Sequence, residues 1–190
     1  MKIKYKIGVI GLGYVGLPLA VEFAKKYNVI GFDNNKKRIQ ELKKGKDKTN
    51  EITKSHLNKV KNSLDLVHKP EDLSSANFYI VTVPTPIDSN KKPDLGSIKS
   101  ASSILSQLLK KDDIVVFEST VYPGATREIC IPILEKKSGL KLNVDFYVGY
   151  SPERINPGDK KHTVSDIIKV VSGSNKYALR IISKIYASII

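Results

Sequence analysis

Lys6-Ile7-Gly8-Val9-Ile10-Gly11-Leu12-Gly13-Tyr14-Val15-Gly16 is the stretch that decides the fold. A short apolar run rich in β-branched residues leads into Gly11-x-Gly13-x-x-Gly16, and a helix-patterned segment, Leu17 to Lys26, follows. Strand, glycine turn and helix in this order are the context that gives the dinucleotide-binding fingerprint its meaning. Gly11 lets the chain turn sharply off the strand. Gly13, lacking a Cβ, lets a pyrophosphate approach the backbone, and Gly16 lets the helix pack closely on the sheet. The amides and positive dipole end of the helix then face the phosphates.

The next strand, Asn28-Val29-Ile30-Gly31-Phe32, ends in Asp33, at the spacing where an acid bonds a ribose hydroxyl. A carboxylate there repels a ribose phosphate, so NAD is favoured over NADP. Arg38, in the helix pattern of residues 34–44, has two readings: a solvated helix charge, or a guanidinium that stacks on adenine or bonds the ribose.

Further along, strand patterns recur at Leu64–Val67, Asn77–Val83, Asp113–Phe117 and Asp145–Gly149, with a seventh over Ile167–Ser172. Helix patterns separate them: a helix within 46–62 capped by Thr53 or Ser55, then Gly96–Leu109 and Gly124–Lys137, and finally Ser174–Ile190. Alternation of this kind predicts an α/β fold, a doubly wound, mostly parallel, Rossmann-like sheet in three αβα layers. Ligands of such sheets lie beyond the carboxyl ends of the strands. Gly11–Gly16, Asp33–Arg38, Pro84–Pro86, Glu118–Thr120 and Ser151–Arg154 therefore converge on one crevice. The last helix pattern carries no C-cap signal, so the chain is expected to stop inside it.

A chain of 190 residues, 41% hydrophobic and with mean hydropathy of −0.22, is a folded domain rather than a disordered one. It holds no apolar run long enough to span a membrane, and its N-terminus reads as a strand rather than a signal peptide. One cysteine excludes an internal disulfide framework and fits a reducing, cytoplasmic setting. The net charge of +13 admits nucleic acid, a membrane surface or an anionic substrate as partner. Its carriers are mostly lysines spread along surface helices, whereas base readout favours arginine. No recognition helix or stacking motif accompanies them, and neither nucleic acid nor membrane is expected as a partner. His56, His68 and His162 lack metal-ligand spacing, so no metal site is expected.

Four ordered words carry a resemblance: Gly11-Leu-Gly-Tyr-Val-Gly-Leu-Pro18, Val83-Pro-Thr-Pro86, Glu118-Ser-Thr120 and Ser151-Pro-Glu-Arg-Ile-Asn-Pro-Gly158. Together they resemble the N-terminal NAD-binding domain of the UDP-glucose/GDP-mannose dehydrogenase family, over essentially the whole chain. The Glu-Arg-x-x-Pro-Gly form looks most like the branch acting on UDP-N-acetylhexosamines. Pro157 stands where the UDP-glucose branch usually has a second glutamate.

The resemblance implies oxidation of a sugar C6 alcohol to a carboxylate with two NAD, through a cysteine-bound thiohemiacetal and thioester, for surface polysaccharide. By motif match, Gly11, Gly13, Tyr14, Val15, Gly16, Asp33, Arg38, Pro84, Thr85, Ser119 and Thr120 would bind NAD. Arg154 and Ile155 would contact the UDP-sugar. Glu153 would act on the hydrolytic water, which the Thr120 hydroxyl helps to hold; a helix N-cap or an ion-pair partner for Arg154 is its structural alternative. The family's Gly-Gly-Ser-Cys nucleophile loop is absent from this sequence, and Cys130, flanked by apolar residues, reads as a buried hydrophobe. Residues 1–173 are expected to form the NAD-binding domain and 174–190 the start of a linking helix, in a full-length protein that is a homodimer; the 190 residues alone are expected to be inactive. Two other readings stand beside this one: a β-hydroxyacid or 6-phosphogluconate type dehydrogenase domain, and a non-enzymatic NAD-sensing module.

Overall fold

The computed structural model describes residues 5–87, 91–153 and 168–190. The first apolar run forms β1 (Ile7–Ile10), fully buried, and the glycine turn hands it to helix α1 (Gly16–Ala24). Then follow β2 (Val29–Phe32), α2 (Lys36–Lys43), α3 (Lys54–Lys59) and β3 (Leu64–Val67). The second half runs β4 (Phe78–Val81), α4 (Gly96–Ser106), β5 (Ile114–Phe117), α5 (Ile131–Ser138), β6 (Tyr147–Tyr150), β7 (Ser172–Gly173) and α6 (Lys176–Tyr186).

The seven strands form one sheet in the order β3-β2-β1-β4-β5-β6-β7, parallel throughout except for β6 against β7. The chain reverses its winding between β1 and β4, and that switch opens the crevice. Strands buried on both faces need apolar residues at every position, which the run from Phe78 to Val81 supplies. On one face Ile7, Val9, Phe78, Ile80 and Val116 pack under α1, α2, α3 and α6. On the other, Ile10, Tyr79, Val81, Val115 and Phe117 meet α4 and α5. These are the three αβα layers expected.

Capping sets several boundaries. Asn35 accepts from the amide of Arg38 to start α2, Thr53 from that of His56 to start α3, and Asn175 from that of Ala178 to start α6. Three expectations need correction. The seventh strand is not Ile167–Ser172: residues 168–171 lie outside any strand, the two-residue β7 runs antiparallel, and Ile167 is outside the described residues. The helix expected over Gly124–Lys137 opens as a π turn, Thr126–Cys130, in which the Ile131 amide bonds the Thr126 carbonyl. Pro132 has no amide to return to the preceding turn, and the wider turn accommodates it. Finally, α6 ends at Tyr186 rather than running through Ile190: the Ser188 hydroxyl takes the Ile185 carbonyl (2.6 Å) and competes with helical bonding.

Candidate functional site

A crevice of about 640 Å³ opens beyond the carboxyl ends of β1, β2, β4, β5 and β6. Its floor is the glycine loop. The Gly11 backbone is left-handed (φ 95°), and the Thr82 hydroxyl lies within hydrogen-bond reach of the Ile10 and Gly11 carbonyls, at 3.0 and 2.7 Å. A Cβ on Gly16 would meet the Gly11 carbonyl oxygen at 1.8 Å and the Thr82 hydroxyl at 2.3 Å, so only glycine allows α1 this close. A Cβ on Gly13 would meet nothing within 4 Å; it would project into open space at the loop where a pyrophosphate approaches. No side chain caps the N-terminus of α1, and its first amides keep the donor character that binds anions.

Asp33, at the end of β2, fixes the second wall. Its Oδ2 accepts the Leu12 amide and its Oδ1 the Asn35 amide, both at 2.9 Å. Each oxygen keeps a lone pair for a hydroxyl, so the site fits a 2′-OH and disfavours a phosphate. Beneath it, Arg38 is buried: Nε donates to the Leu12 carbonyl (3.0 Å) and one terminal nitrogen pairs with Asp47 at 2.7 Å. Arg38 therefore is not a solvated helix charge. It does not line the crevice; it braces the loop that does. Hydrogen bonds from the Ile52 and Thr49 amides, the Thr49 hydroxyl and Arg38 hold the Asp47 carboxyl below the usual carboxylate range although burial opposes this.

The third wall comes from β4 and β5. Pro84 and Thr85 follow β4, and the Thr85 hydroxyl donates to the Thr120 carbonyl across the gap. The Ser119 hydroxyl donates to the Val83 carbonyl at 2.6 Å, so two adjacent loops are stitched together. Glu153 enters from the loop after β6. The structure thus brings Gly11, Gly13, Tyr14, Val15, Asp33, Pro84, Thr85, Ser119, Thr120 and Glu153 onto one surface, with Gly16 behind it. Arg154 and Ile155 lie outside the described residues.

Sequence reading missed a buried ionic cluster at the β5–β6 end. Glu118 is 1% exposed; its Oε2 accepts from Lys169 Nζ at 2.5 Å, and its Oε1 accepts from the Tyr186 hydroxyl of α6. Lys169 Nζ also stands 4.0 Å from Glu153 Oε1. Burial pushes the Glu118 carboxyl up, opposed by Lys169 and the Tyr186 hydrogen bond, while burial and the Glu118 charge push the Tyr186 phenol up, keeping it a neutral donor. Lys169 sits in a polar-apolar stretch without a motif, and Tyr186 in an apolar helix pattern. Also unforeseen were Thr82, and Ser97 and Ser100 of α4, which face the crevice. Cys130 is 1% exposed, and burial raises its thiol. Among the described residues, no three His, Cys, Asp or Glu side chains converge to hold a metal, and no helix is long and apolar enough to cross a membrane.

Residues 5–190 match the UDP-glucose/GDP-mannose dehydrogenase family, NAD binding domain. The chain belongs to this family. NAD is accordingly the cofactor of this domain. The chain is 55% identical over 185 residues to the UDP-N-acetyl-D-glucosamine 6-dehydrogenase of Pseudomonas aeruginosa, covering 97% of this chain and 44% of that protein. It is likewise 55% identical to Protein CapL of Staphylococcus aureus, over 97% of this chain and 43% of that one. The solved UDP-D-ManNAc dehydrogenase of Pyrococcus horikoshii superposes with a TM-score of 0.90 at 31% identity, over 97% of this chain and 45% of its own. The chain therefore spans less than half the length of the curated relatives it matches.

Proposed function

We propose that this chain is the NAD-binding half of a UDP-N-acetylhexosamine 6-dehydrogenase that makes uronic acids for surface polysaccharide in the cytoplasm. The observation that carries the reading is that the glycine loop, Asp33 and Glu153 share one crevice. Residues 174–190 are read as the start of the helix linking to a substrate half in a longer, homodimeric polypeptide. That half supplies the nucleophilic cysteine, since Cys130 is buried away from the crevice, in the core between α4 and α5.

Bound NAD supplies the hydride acceptor for both oxidation steps. The chain's own residues do the rest. Gly13 and the α1 amides hold the pyrophosphate; Asp33 accepts from the adenosine ribose; Tyr14 and Val15 flank the loop. The Thr85–Thr120 and Ser119–Val83 hydrogen bonds fix the loops at the opposite end, so the reacting carbon meets a rigid wall. Glu153 takes a proton from the water that hydrolyses the thioester, and the Thr120 hydroxyl orients that water. Arg154 and Ile155 contact the UDP-sugar.

The test uses the longer polypeptide. Glu153→Gln, incubated with UDP-N-acetylglucosamine and NAD, is expected to accumulate a covalent sugar adduct visible by mass spectrometry. Unimpaired turnover by that variant would contradict the role of Glu153.

A further inference from the structure

Glu118 stands directly before Ser119 and Thr120, and all three line the crevice from the loop after β5. Two hydrogen bonds tie this loop to the one after β4: Ser119 donates to the Val83 carbonyl, and Thr85 to the Thr120 carbonyl. The Glu118 side chain ties it in the other direction. Its Oε2 accepts from Lys169, in the segment before β7, and its Oε1 from the hydroxyl of Tyr186, the last residue of α6. An apolar side chain would fill a buried position at less cost than a carboxylate, so stability alone does not account for Glu118. Tyr186 is as well buried, and its ring meets Phe23 of α1 edge to face with centroids 5.6 Å apart. A phenylalanine would keep that packing, so what tyrosine adds is the hydroxyl, and the hydroxyl goes to Glu118. The rest of the buried face of α6 is apolar: Ala178, Ile182 and Ile185.

The geometry points to Tyr186 as a positioning residue of the reaction: acting through Glu118, it registers α6 to the loop after β5 and holds the Thr120 hydroxyl where the hydrolytic water is oriented. The inference rests on the proposed function, in which Thr120 orients that water and α6 begins the link to the substrate half. In the step served, the water oxygen bonds the acyl carbon, the carbon–sulfur bond breaks and sulfur leaves as thiolate. One water proton passes to Glu153 and the other leaves with the carboxyl product. Removing the Tyr186 hydroxyl releases one oxygen of Glu118 and loosens the loop that carries Thr120, although Tyr186 itself meets neither substrate nor cofactor.

The test compares variants of the longer polypeptide acting on UDP-N-acetylglucosamine with NAD. Tyr186→Phe is expected to lower kcat on the order of tenfold and to leave KM for both substrates within about twofold. The covalent sugar adduct is expected to accumulate in that variant by mass spectrometry. Tyr27→Phe is the control: it removes a different hydroxyl that holds the end of α6, through Ser188 Oγ at 3.1 Å, without reaching Glu118. It is expected to leave kcat unchanged. In a Glu118→Gln background, Tyr186→Phe is expected to lower kcat by less than about twofold more, because the two residues act as one unit. Should Glu118→Gln fail to fold, the comparison of Tyr186→Phe with Tyr27→Phe decides. An unchanged kcat in Tyr186→Phe, equal losses in Tyr27→Phe, additive losses in the double variant, or a slower enzyme without adduct would overturn the proposal. Failure of the unsubstituted polypeptide to oxidise the sugar would instead overturn the functional reading beneath it.

Discussion

Asp33 closes the glycine loop from below: its two oxygens take the Leu12 and Asn35 amides. Replacing it with alanine therefore removes both the ribose acceptor and a brace. Asp33→Asn keeps the size and is the cleaner variant; NAD affinity is expected to fall about tenfold, the worth of one hydrogen bond to a charged group, while NADP affinity changes less. Equilibrium titration of both cofactors checks this. Asp113, at the entry to β5, offers a test of a different kind. Burial raises its carboxyl from 3.8 to about 6, although the Lys110 amide and ammonium oppose this. The folded state thus holds its proton more tightly than the unfolded chain, so this group's contribution to stability is present below about pH 4 and is lost as pH rises through about 6. Asp113→Asn is expected to raise stability at pH 8 by on the order of 1 kcal/mol, with allowance for solvent screening, and to have little effect near pH 4. Chemical denaturation at the two pH values measures both.

At the scale of elements, the β1–turn–α1 unit separates folding from binding in two neighbouring glycines. Gly16→Ala drives a Cβ into the Gly11 carbonyl at 1.8 Å, backbone that has nowhere to go. It is expected to cost at least about 3 kcal/mol of stability. Gly13→Ala meets no atom within 4 Å, so the unfolding midpoint should hold while NAD affinity collapses. Thermal melts paired with cofactor titration distinguish the two. This unit was legible in the sequence because strand, glycines and helix are contiguous, and the buried strands announced themselves as unbroken apolar runs. β7 was not, because two residues pairing antiparallel leave no periodicity to read. The π turn was hidden too: it arises from Pro132 acting on the turn before it, an effect that a helical pattern conceals. Arg38 was visible as a candidate, but its burial against Asp47 depends on the loop after α2 folding back onto it rather than on the helix pattern. Lys169 gained its partners only when the chain returned along β6 to form β7, which sets the segment before β7 against Glu118 and Glu153.

For the whole molecule, the +13 charge and the crevice lead to different expectations about partners. Lysines spread over surface helices should give duplex DNA binding that is weak and vanishes with modest added salt. Submicromolar binding that persists at 200 mM salt, measured by fluorescence anisotropy, would revive a nucleic-acid role. The 190 residues alone are expected to bind cofactor without producing NADH from UDP-N-acetylglucosamine, because the one thiol present is buried between helices and its pKa is raised by that burial. The most direct measurement is calorimetric titration of this chain with NAD⁺ and NADP⁺ side by side. The glycine loop and Asp33 predict saturable 1:1 binding of NAD⁺ at least about tenfold tighter than NADP⁺; equal affinities, or no binding of NAD⁺, would contradict it.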